Sequence, residues 1–432
     1  MRLLQETLTQ TLQHVPPDAL GELAQLIDNR WIGQALAASG KASIRRRKLP
    51  AEHAVWLVIG LSLYRQLPMW QVVQQLSLSL DTGALPAPSA SVQARQRLGS
   101  EPLERLFGQL TQAWSRPSTG APLRVLAVDG VVWSAPDTPE NRATLGSGST
   151  QHGPLPWPQV RAVCLLDTST HELLDARIGD MSQGELTLAA GLQGVDDSLT
   201  VFDRAYFSAA FLLRWQQGQQ RHWLMRAKDS LRHEVEQTLA PGDQLIRMPV
   251  SPRARQLDPQ LPSHWQARLI TLTVQGKPRR FITSLLDHNA YPAQQLAQLY
   301  RQRWEIELAF RDIKSSLQGG QEVLRSKQPD LVKQEVWGLL IAYTLLRRWM
   351  RHMADNAGVE PNRISFHTTQ HAIVGLFHSA NLTTPGTLPA RLNDLLNQAR
   401  YFLLPPRRSD RSYPREVKNR AHKFPKKKAS QR

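Results

Sequence analysis

The sequence predicts an α/β protein in which a mixed β-sheet core lies between helical regions at the two ends of the chain. Up to about residue 118, apolar residues recur at helical spacing in segments 51–64, 69–80, 91–98 and 102–114. From residue 123 the pattern changes to short apolar runs that are typical of buried strands. Helical spacing returns in a long amphipathic segment, 331–353, and weaker helical segments follow to about residue 401.

The central region contains strand-like segments around one helical segment, in the order β-β-β-α-β. These segments are 124–129, 159–167, 172–178, the helical 185–193, and 199–203. A helix at 207–217 and a short strand at 222–226 follow. The next 65 or so residues include a hairpin, 267–274 with 280–286, around a Gln-Gly-Lys-Pro turn. The region therefore predicts a mixed sheet with additional strands before the next helix.

Two of the predicted strands end in an aspartate, Asp129 and Asp203. Acids at the carboxyl ends of neighbouring strands meet at one edge of a sheet, where they can face a common cation. Either acid alone is more often a turn or cap residue. Asp167 also ends an apolar strand, but consecutive strands without a crossover helix run antiparallel, which places it at the opposite edge. We therefore predict that Asp167 is a turn residue.

A third acid, Glu307, lies in a predicted helix over 299–317. On an ideal helix Tyr300, Arg303, Glu307 and Lys314 project within a strip of about 60°. The neighbouring face is apolar and predicted to be buried; its residues are Ile306, Ala309, Phe310, Ile313 and Leu317. Glu305 and Asp312 are predicted to be solvated charges on the far side. The alternative for Arg303 and Glu307 is an ordinary salt bridge at i, i+4 spacing.

Several aromatic residues near these segments could pack or stack on a nucleobase. Trp223, Trp265 and Phe281 fall in or before the hairpin, and Trp304 lies beside the polar strip. For each of them we predict packing. Arg226 and Lys228 follow the short strand and are either phosphate contacts or solvated charges.

The charge of the chain indicates a polyanionic partner. The 432 residues carry 53 Lys or Arg against 36 Asp or Glu, a formal +17. Residues 407–432 hold eleven of the basic residues against two acids, so this tail is predicted to be disordered without a partner. The cluster Arg45 to Lys48 is either a solvated linker or a phosphate-binding patch, and Arg95 with Arg97 weakly resembles a helix-turn-helix reader.

The remaining composition indicates a protein of a reducing cytoplasm. Cys164 is the single cysteine, so neither an intramolecular disulfide nor a cysteine-based zinc site can form. The N-terminus has no apolar stretch of the signal-peptide type, and the longest apolar run, 336–346, is too short to span a bilayer. We therefore expect no membrane partner.

Three carboxylates without a histidine or cysteine cluster favour a hard, oxygen-ligated cation. Asp129, Asp203 and Glu307 are thus candidate ligands of Mg²⁺, or of Mn²⁺ in its place. Two such ions would support phosphoryl transfer without a covalent protein intermediate.

The spacing Tyr300-x2-Arg303-x3-Glu307-x6-Lys314 resembles the Tyr-Arg-Glu-Lys motif of the IS-four family of bacterial insertion-sequence transposases. These are DDE enzymes with a ribonuclease-H-like core. The resemblance extends over nearly the whole chain, including segments 44–50, 94–100, 136–141 and 303–308. The family resemblance therefore implies a DNA transposase.

The resemblance also implies roles for individual residues. Asp129, Asp203 and Glu307 match the catalytic acids, and Tyr300, Arg303 and Lys314 match positions that contact phosphates of the transposon end. Family members act as homodimers on two terminal inverted repeats, cleave them through hydrolysis and hairpin formation, and join them to target DNA at the bacterial nucleoid. Two alternatives are a catalytically silent DNA-binding protein derived from such a transposase and a nuclease without strand joining.

The implied ribonuclease-H-like core is interrupted by a β-rich insertion. Residues 1–118 would form a helical DNA-binding domain, 119–226 the first part of the core, and 227–292 the insertion. The helix with Glu307 belongs to the second part of the core, 293–325. A helical region, 326–405, and the basic tail, 406–432, complete the chain.

Overall fold

A nine-stranded mixed sheet organises the chain between residues 124 and 283. The computed structural model describes residues 26–42, 49–76, 78, 86–115, 123–150, 153–274, 276–380 and 388–405. The strands are β1 (Arg124–Ser134), β2 (Gln159–Asp167), β3 (Leu173–Asp180), β4 (Ser198–Phe202), β5 (Arg221–Arg226), β6 (Glu234–Ala240), β7 (Asp243–Pro249), β8 (His264–Val274) and β9 (Lys277–Thr283). Their spatial order is β3-β2-β1-β4-β5-β9-β8-β7-β6.

Strand β1 separates an antiparallel part of the sheet from a parallel part. It pairs antiparallel with β2, and β2 pairs antiparallel with β3. On its other side β1 pairs parallel with β4, which pairs parallel with β5. The predicted order of three strands, a helix and a fourth strand is confirmed, as is the antiparallel start.

The predicted hairpin over 267–286 is confirmed, and it extends the same sheet. Strand β9 pairs antiparallel with β5, and β8, β7 and β6 follow outward. Gly276, in the turn between β8 and β9, has a φ of 71°, a conformation that glycine adopts at little cost. The sequence did not reveal β6 and β7, because β6 is mostly exposed and carries few apolar residues.

Helices cover both faces of the sheet or form a bundle beside it. They are α1 (Asn29–Ala38), α2 (Ala51–Leu63), α3 (Met69–Gln75), α4 (Pro88–Leu98), α5 (Glu101–Trp114), α6 (Pro139–Leu145), α7 (Glu185–Ala189), α8 (Ala209–Trp215), α9 (Pro252–Leu257), α10 (Ala293–Tyr300), α11 (Trp304–Asp312), α12 (Pro329–Ala357), α13 (Phe366–Ala380) and α14 (Leu388–Asn397). A two-residue ladder, Ser149–Thr150 with Gly153–Pro154, follows α6.

The long helix α12 is the centre of the bundle and joins the two helical regions. It packs against α2 and α5 from the N-terminal region and against α13 and α14 from the C-terminal region. Gly338 allows the closest approach, since a Cβ at this position would lie 2.8 Å from Val58 Cγ1 on α2. A buried ion pair between Arg65 and Glu335, with 2.5 Å between Nη1 and Oε1, crosses the same interface.

Arg95 takes part in this interface, so its predicted role as a DNA reader is wrong. Arg95 is 8% exposed, and its guanidinium donates hydrogen bonds to Gln334 and Ser326. Arg97 on the same helix is exposed. The cluster Arg45 to Lys48 and the basic tail lie outside the described residues.

Alternation along β1 divides the core between the two faces of the sheet. Ala127, Val131 and Trp133 pack with the helical bundle, whereas Leu126 and Val128 pack with α7 and α8 on the opposite face. Within the described part of the chain, no helix has the length and apolarity needed to cross a membrane.

Candidate active site

The register of β1 and β4 places Asp129 and Asp203 beside each other at one edge of the parallel ladder. The last pair in this ladder is Val128 with Phe202, and the two aspartates are the next residue on each strand. β1 does not end at Asp129 as predicted, because Gly130 to Ser134 continue to pair with β2. Asp129 therefore lies where β1 loses its parallel neighbour, and its side chain is 21% exposed.

Asp203 follows β4 directly and caps the next turn. Its Oδ1 accepts a 2.9 Å hydrogen bond from the amide of Ala205, at the start of a 3₁₀ turn, Arg204–Tyr206. The carboxylate is half-buried. Asp203 thus has the capping role that is common for an aspartate after a strand. It does so next to Asp129.

The predicted single helix over 299–317 is interrupted at both ends of α11. A 3₁₀ turn, Arg301–Arg303, separates α10 from α11, and a π-helical turn, Ile313–Leu317, follows it. A 3₁₀ turn tightens the helix and a π turn widens it, so the four polar side chains do not follow the ideal angular strip. The predicted apolar face is confirmed, since all five of its residues are buried.

Arg303 connects the acid on α11 with the acid on β1. Its Nη2 donates a 2.7 Å hydrogen bond to Glu307 Oε1, and its Nη1 lies 3.4 Å from Asp129 Oδ2. The Arg303 side chain is 11% exposed. The pairing of Arg303 with Glu307 is thus more than an ordinary surface salt bridge, because the same cation also neutralises a half-buried carboxylate from the sheet.

Asp129 is in an unfavourable electrostatic environment for an ionised group. Burial raises the pKa of its carboxyl group to about 6, and the negative charges of Glu185 and Glu307 add to this effect. The amide of Gly130 and the guanidinium of Arg303 act in the opposite direction. A further cation at this edge would therefore favour the ionised form.

Tyr300 borders an open groove of about 440 Å³. Its ring contacts Phe281 edge-on, with 5.3 Å between the centroids, and burial raises the pKa of its hydroxyl to about 12. Three arginines also line the groove: Arg226, Arg279 and Arg301. Nε of Arg226 is buried and has no hydrogen-bond partner among the described residues. The groove thus combines aromatic and cationic groups, as grooves that bind a nucleic-acid strand do.

Lys314, in the π-helical turn after α11, lies beside the part of β1 that follows Asp129. Its Nζ donates a 2.9 Å hydrogen bond to the main-chain oxygen of Val132 and lies 5.9 Å from the centre of the Trp133 ring. Burial lowers the pKa of its ammonium group. Tyr300 thus contacts β9, whereas Arg303 and Lys314 contact β1.

Long-range contacts hold α11 and its flanking turns in place, and they overturn two predictions. Glu305, predicted to be solvated, is 6% exposed and its Oε2 lies 2.8 Å from Nε2 of His171, at the β2–β3 turn. Asp312 accepts a 2.6 Å hydrogen bond from Arg347 on α12. The partners are about 134 and 35 positions away, so local charge patterning could not indicate them.

The β2–β3 turn is also where the structure places Asp167. Asp167 pairs with Leu126 at the beginning of β1, its carboxylate binds Arg124, and it accepts hydrogen bonds from Ser169 and Thr170. Its prediction as a turn residue at the opposite edge is confirmed.

The aromatic residues near the hairpin behave as predicted, with one exception. Trp223, Trp265 and Phe281 are at most 6% exposed, and the rings of the two tryptophans pack at 5.6 Å. Trp304 was predicted to pack but is 58% exposed, with the Arg303 guanidinium 5.1 Å from its ring centre. Its exposure follows from its position outside the apolar face of α11.

The donor chemistry of this edge fits a hard divalent cation. The side chains of Asp129, Asp203, Glu307 and Glu185 offer carboxylate oxygens only, as Mg²⁺ and Mn²⁺ prefer. Among the described residues, no three His, Cys, Asp or Glu side chains are close enough to form a metal site by themselves. In this structure Arg303 supplies the positive charge between two of the acids.

Two family models match successive segments of the chain. Residues 17–108 match the family model "Insertion element 4 transposase N-terminal", and residues 120–345 match "Transposase DDE domain". The chain is 39% identical over 416 residues to transposase InsG for insertion sequence element IS4 of Escherichia coli K12, covering 94% of this chain and 93% of InsG.

Two more distant similarities accompany these matches. The putative transposase InsZ of Escherichia coli K12 is 34% identical over 247 residues, covering 53% of this chain and 79% of InsZ. The solved structure of a piggyBac transposase synaptic complex with hairpin DNA has a TM-score of 0.43 at 12% identity, over 93% of this chain and 88% of that chain. That structural likeness is too low to show the fold or the function.

Membership of the DDE class implies that the reaction uses divalent metal ions in general. The two family models and the near full-length similarity to InsG agree with the Tyr-Arg-Glu-Lys spacing in the sequence. The chain therefore belongs to the IS4 family of DDE transposases and is a DNA transposase.

Proposed function

We propose that this transposase moves an insertion sequence by a cut-and-paste reaction, with Asp129, Asp203 and Glu307 as its catalytic acids. The observation that supports this most strongly is the register of β1 and β4, which puts the two aspartates side by side. Arg303 then links the third acid to the first. The reaction comprises hydrolytic nicking, hairpin formation and strand transfer at the terminal inverted repeats.

We propose a ribonuclease-H-like core for this site, with the domain boundaries expected from the sequence. The order β3-β2-β1-β4-β5, with β2 antiparallel to its neighbours, supports this proposal. Residues 119–226 and 293–325 would form the core around the insertion, 227–292. The flanking regions 1–118 and 326–405 supply the helical bundle, followed by the tail 406–432.

The acids would hold Mg²⁺, or Mn²⁺ in its place, and the proposed number of ions is two. When bound, such ions activate an attacking water or 3′-hydroxyl and neutralise the leaving oxygen. Asp129 can act as a ligand only when it is ionised, and burial opposes that charge. Ion binding and loss of the Asp129 proton are therefore coupled.

Tyr300, Arg303 and Lys314 would position the phosphates of the transposon end. Arg303 contacts Asp129, and Lys314 donates a hydrogen bond to Val132, further along β1. The groove beside Tyr300 would take the strand as it leaves the acids, because Arg226, Arg279 and Arg301 line it. Salt bridges to phosphate are the chemistry that the guanidinium group favours.

The proposed partners are double-stranded terminal repeats, target DNA and a second copy of the chain. In this scheme, two copies form a synaptic complex that holds both ends of the element. The reaction would take place at the nucleoid, in the bacterial cytoplasm.

The test is a reaction of the purified full chain with a duplex that carries the inverted repeat flanking its reading frame. We expect nicked, hairpin and target-joined products with Mg²⁺, and none when EDTA is present. Binding of the repeat without any cleavage in Mg²⁺ or Mn²⁺ would identify a silent DNA-binding protein. Cleavage without joined products would identify a nuclease.

A further inference from the structure

A fourth carboxylate, that of Glu185, lies against the strand segment that carries Asp129. Glu185 is in the first turn of α7, and a Cβ on Gly130 would lie 2.5 Å from its carboxyl carbon and 2.7 Å from Oε1. In this conformation the Glu185 side chain occupies the space that a Cβ at position 130 would need. Gly130, the residue after Asp129, therefore leaves space for the carboxylate of Glu185.

The polar contacts of Glu185 leave its carboxylate available. Among the described residues, its neighbours are the hydroxyl of Tyr206 at 3.5 Å and Nε of Arg161 at 3.9 Å. These are long contacts, and Arg161 also donates a 2.7 Å hydrogen bond to the main-chain oxygen of Gln183. The Glu185 side chain is 38% exposed, so an ion from solvent can reach it.

The alternative explanation for the position of Glu185 is a surface ion pair with Arg161. At 3.9 Å and with this exposure, such a pair contributes little to stability. It also does not account for the position of the carboxylate over Gly130, where it adds a negative charge beside Asp129. An arrangement of like charges at one edge is stable when a cation is shared between them.

The geometry points to Glu185 as a fourth acidic ligand of the divalent ion at the candidate active site. This inference rests on the proposed function, because it assumes that Asp129 binds the ion. Glu185 would bind it directly or through a metal-bound water, and its negative charge would increase the affinity of the site. Tyr206, 1% exposed, would orient the carboxylate through its hydroxyl group.

The experiment measures Mn²⁺ binding to the full chain without DNA, by electron paramagnetic resonance of the free ion. Asp129→Asn and Glu185→Gln are compared with the wild type. Glu104→Gln is the matched control, because Glu104 is an exposed glutamate in the first turn of α5. We expect Glu185→Gln to weaken Mn²⁺ binding about tenfold, and Glu104→Gln to leave it unchanged.

Three further variants, Arg161→Gln, Asp203→Asn and Glu307→Gln, separate the explanations. Arg161→Gln removes the ion-pair partner and keeps the acid, so we expect Mn²⁺ binding at wild-type affinity or tighter. Equal affinity of Glu185→Gln and Glu104→Gln, together with a loss in Asp129→Asn, would overturn the role of Glu185 and leave the proposed function intact. Wild-type affinity in Asp129→Asn, Asp203→Asn and Glu307→Gln alike would overturn the proposed metal site, and Glu185 with it.

Discussion

The guanidinium of Arg303 lies 3.4 Å from the carboxylate of Asp129, although the two residues are 174 positions apart in the chain. The same group donates a hydrogen bond to Glu307 on its own helix. A single half-buried cation thus balances two acids that belong to different elements, a strand and a helix. We infer that Arg303 and a divalent ion stabilise the same pair of carboxylates.

The first prediction concerns competition between Arg303 and metal. Arg303→Gln leaves Asp129 and Glu307 without their shared cation, so we expect a loss of about 2 kcal/mol in the free energy of unfolding without metal. Mn²⁺ should restore more stability to this variant than it adds to the wild type. Urea unfolding with EDTA and with Mn²⁺ measures both effects.

Arg301→Gln is the control for this prediction, because Arg301 is exposed and lines the groove without contacting the acids. Its stability and its response to Mn²⁺ should equal those of the wild type. If Mn²⁺ stabilises Arg303→Gln no more than it stabilises Arg301→Gln, the guanidinium and the metal ion do not stabilise the same carboxylates.

The second prediction concerns the pH dependence that Asp129 gives to stability. Its pKa is about 6 in the folded chain, above its ordinary value of 3.8, so the folded state retains this proton between the two values. The contribution of Asp129 to stability therefore falls as the pH rises from about 4 to 6. Asp129→Asn removes the titrating group and should gain about 1 to 2 kcal/mol over the wild type at pH 7.5 in EDTA.

At pH 4.5 most of that gain should disappear, because Asp129 is then protonated in the folded wild type. Urea unfolding at the two pH values provides the comparison. Asp229→Asn, at an exposed acid, should show no such difference. A gain of the same size at both pH values would mean that burial of the charge is not its cause.

The third prediction concerns the contact between the β2–β3 turn and α11. Glu305→Ala removes one partner of the buried contact with His171, so we expect a loss of about 3 kcal/mol in the free energy of unfolding. Arg311→Ala, at an exposed position on the same helix, should change it by less than about 0.5 kcal/mol. Chemical denaturation measures both.

His171→Ala should have a similar effect, and the double variant should lose less than the sum of the two single variants. Additive losses would show that the two side chains act independently. Because α11 carries Glu307, we also expect Glu305→Ala to slow strand cleavage.

The strands around the site were predictable from the sequence because buried strands have a strong local signal. The apolar runs that became β1, β2 and β4, with Asp129 and Asp203 in or after them, contain the information that sets their register. The predicted end of β1 at Asp129 was wrong. Residues Gly130 to Trp133 remain paired to β2 after the parallel pairing with β4 has ended. A sequence pattern does not reveal where a strand loses one of its two neighbouring strands.

The parts that the sequence could not predict depend on distant partners. Glu305 and Asp312 look like solvated charges on an isolated helix, yet His171 and Arg347 bind them. Glu185 gave no signal as a site residue, because only the fold brings it to Gly130. The glycine after Asp129 is the one local feature that could have indicated a close neighbour.

The fourth prediction concerns the basic tail. Deletion of residues 407–432 removes eleven Lys or Arg, so the dependence of DNA affinity on salt should become less steep. Counterion release predicts a change of about 0.9 in the logarithmic slope for each phosphate contact that is lost. Fluorescence anisotropy with a labelled repeat at several salt concentrations measures the slope. An unchanged slope would show that the tail does not contact DNA.

The most direct test of the catalytic assignment is strand cleavage of the terminal repeat in Mg²⁺ by Asp129→Ala, Asp203→Ala and Glu307→Ala. Each variant should still bind the repeat, so that binding and chemistry are measured separately. We expect each to lose cleavage by on the order of a thousandfold or more, since residues that act as one unit fail together. Cleavage at the wild-type rate by any of the three variants would contradict the assignment of that acid.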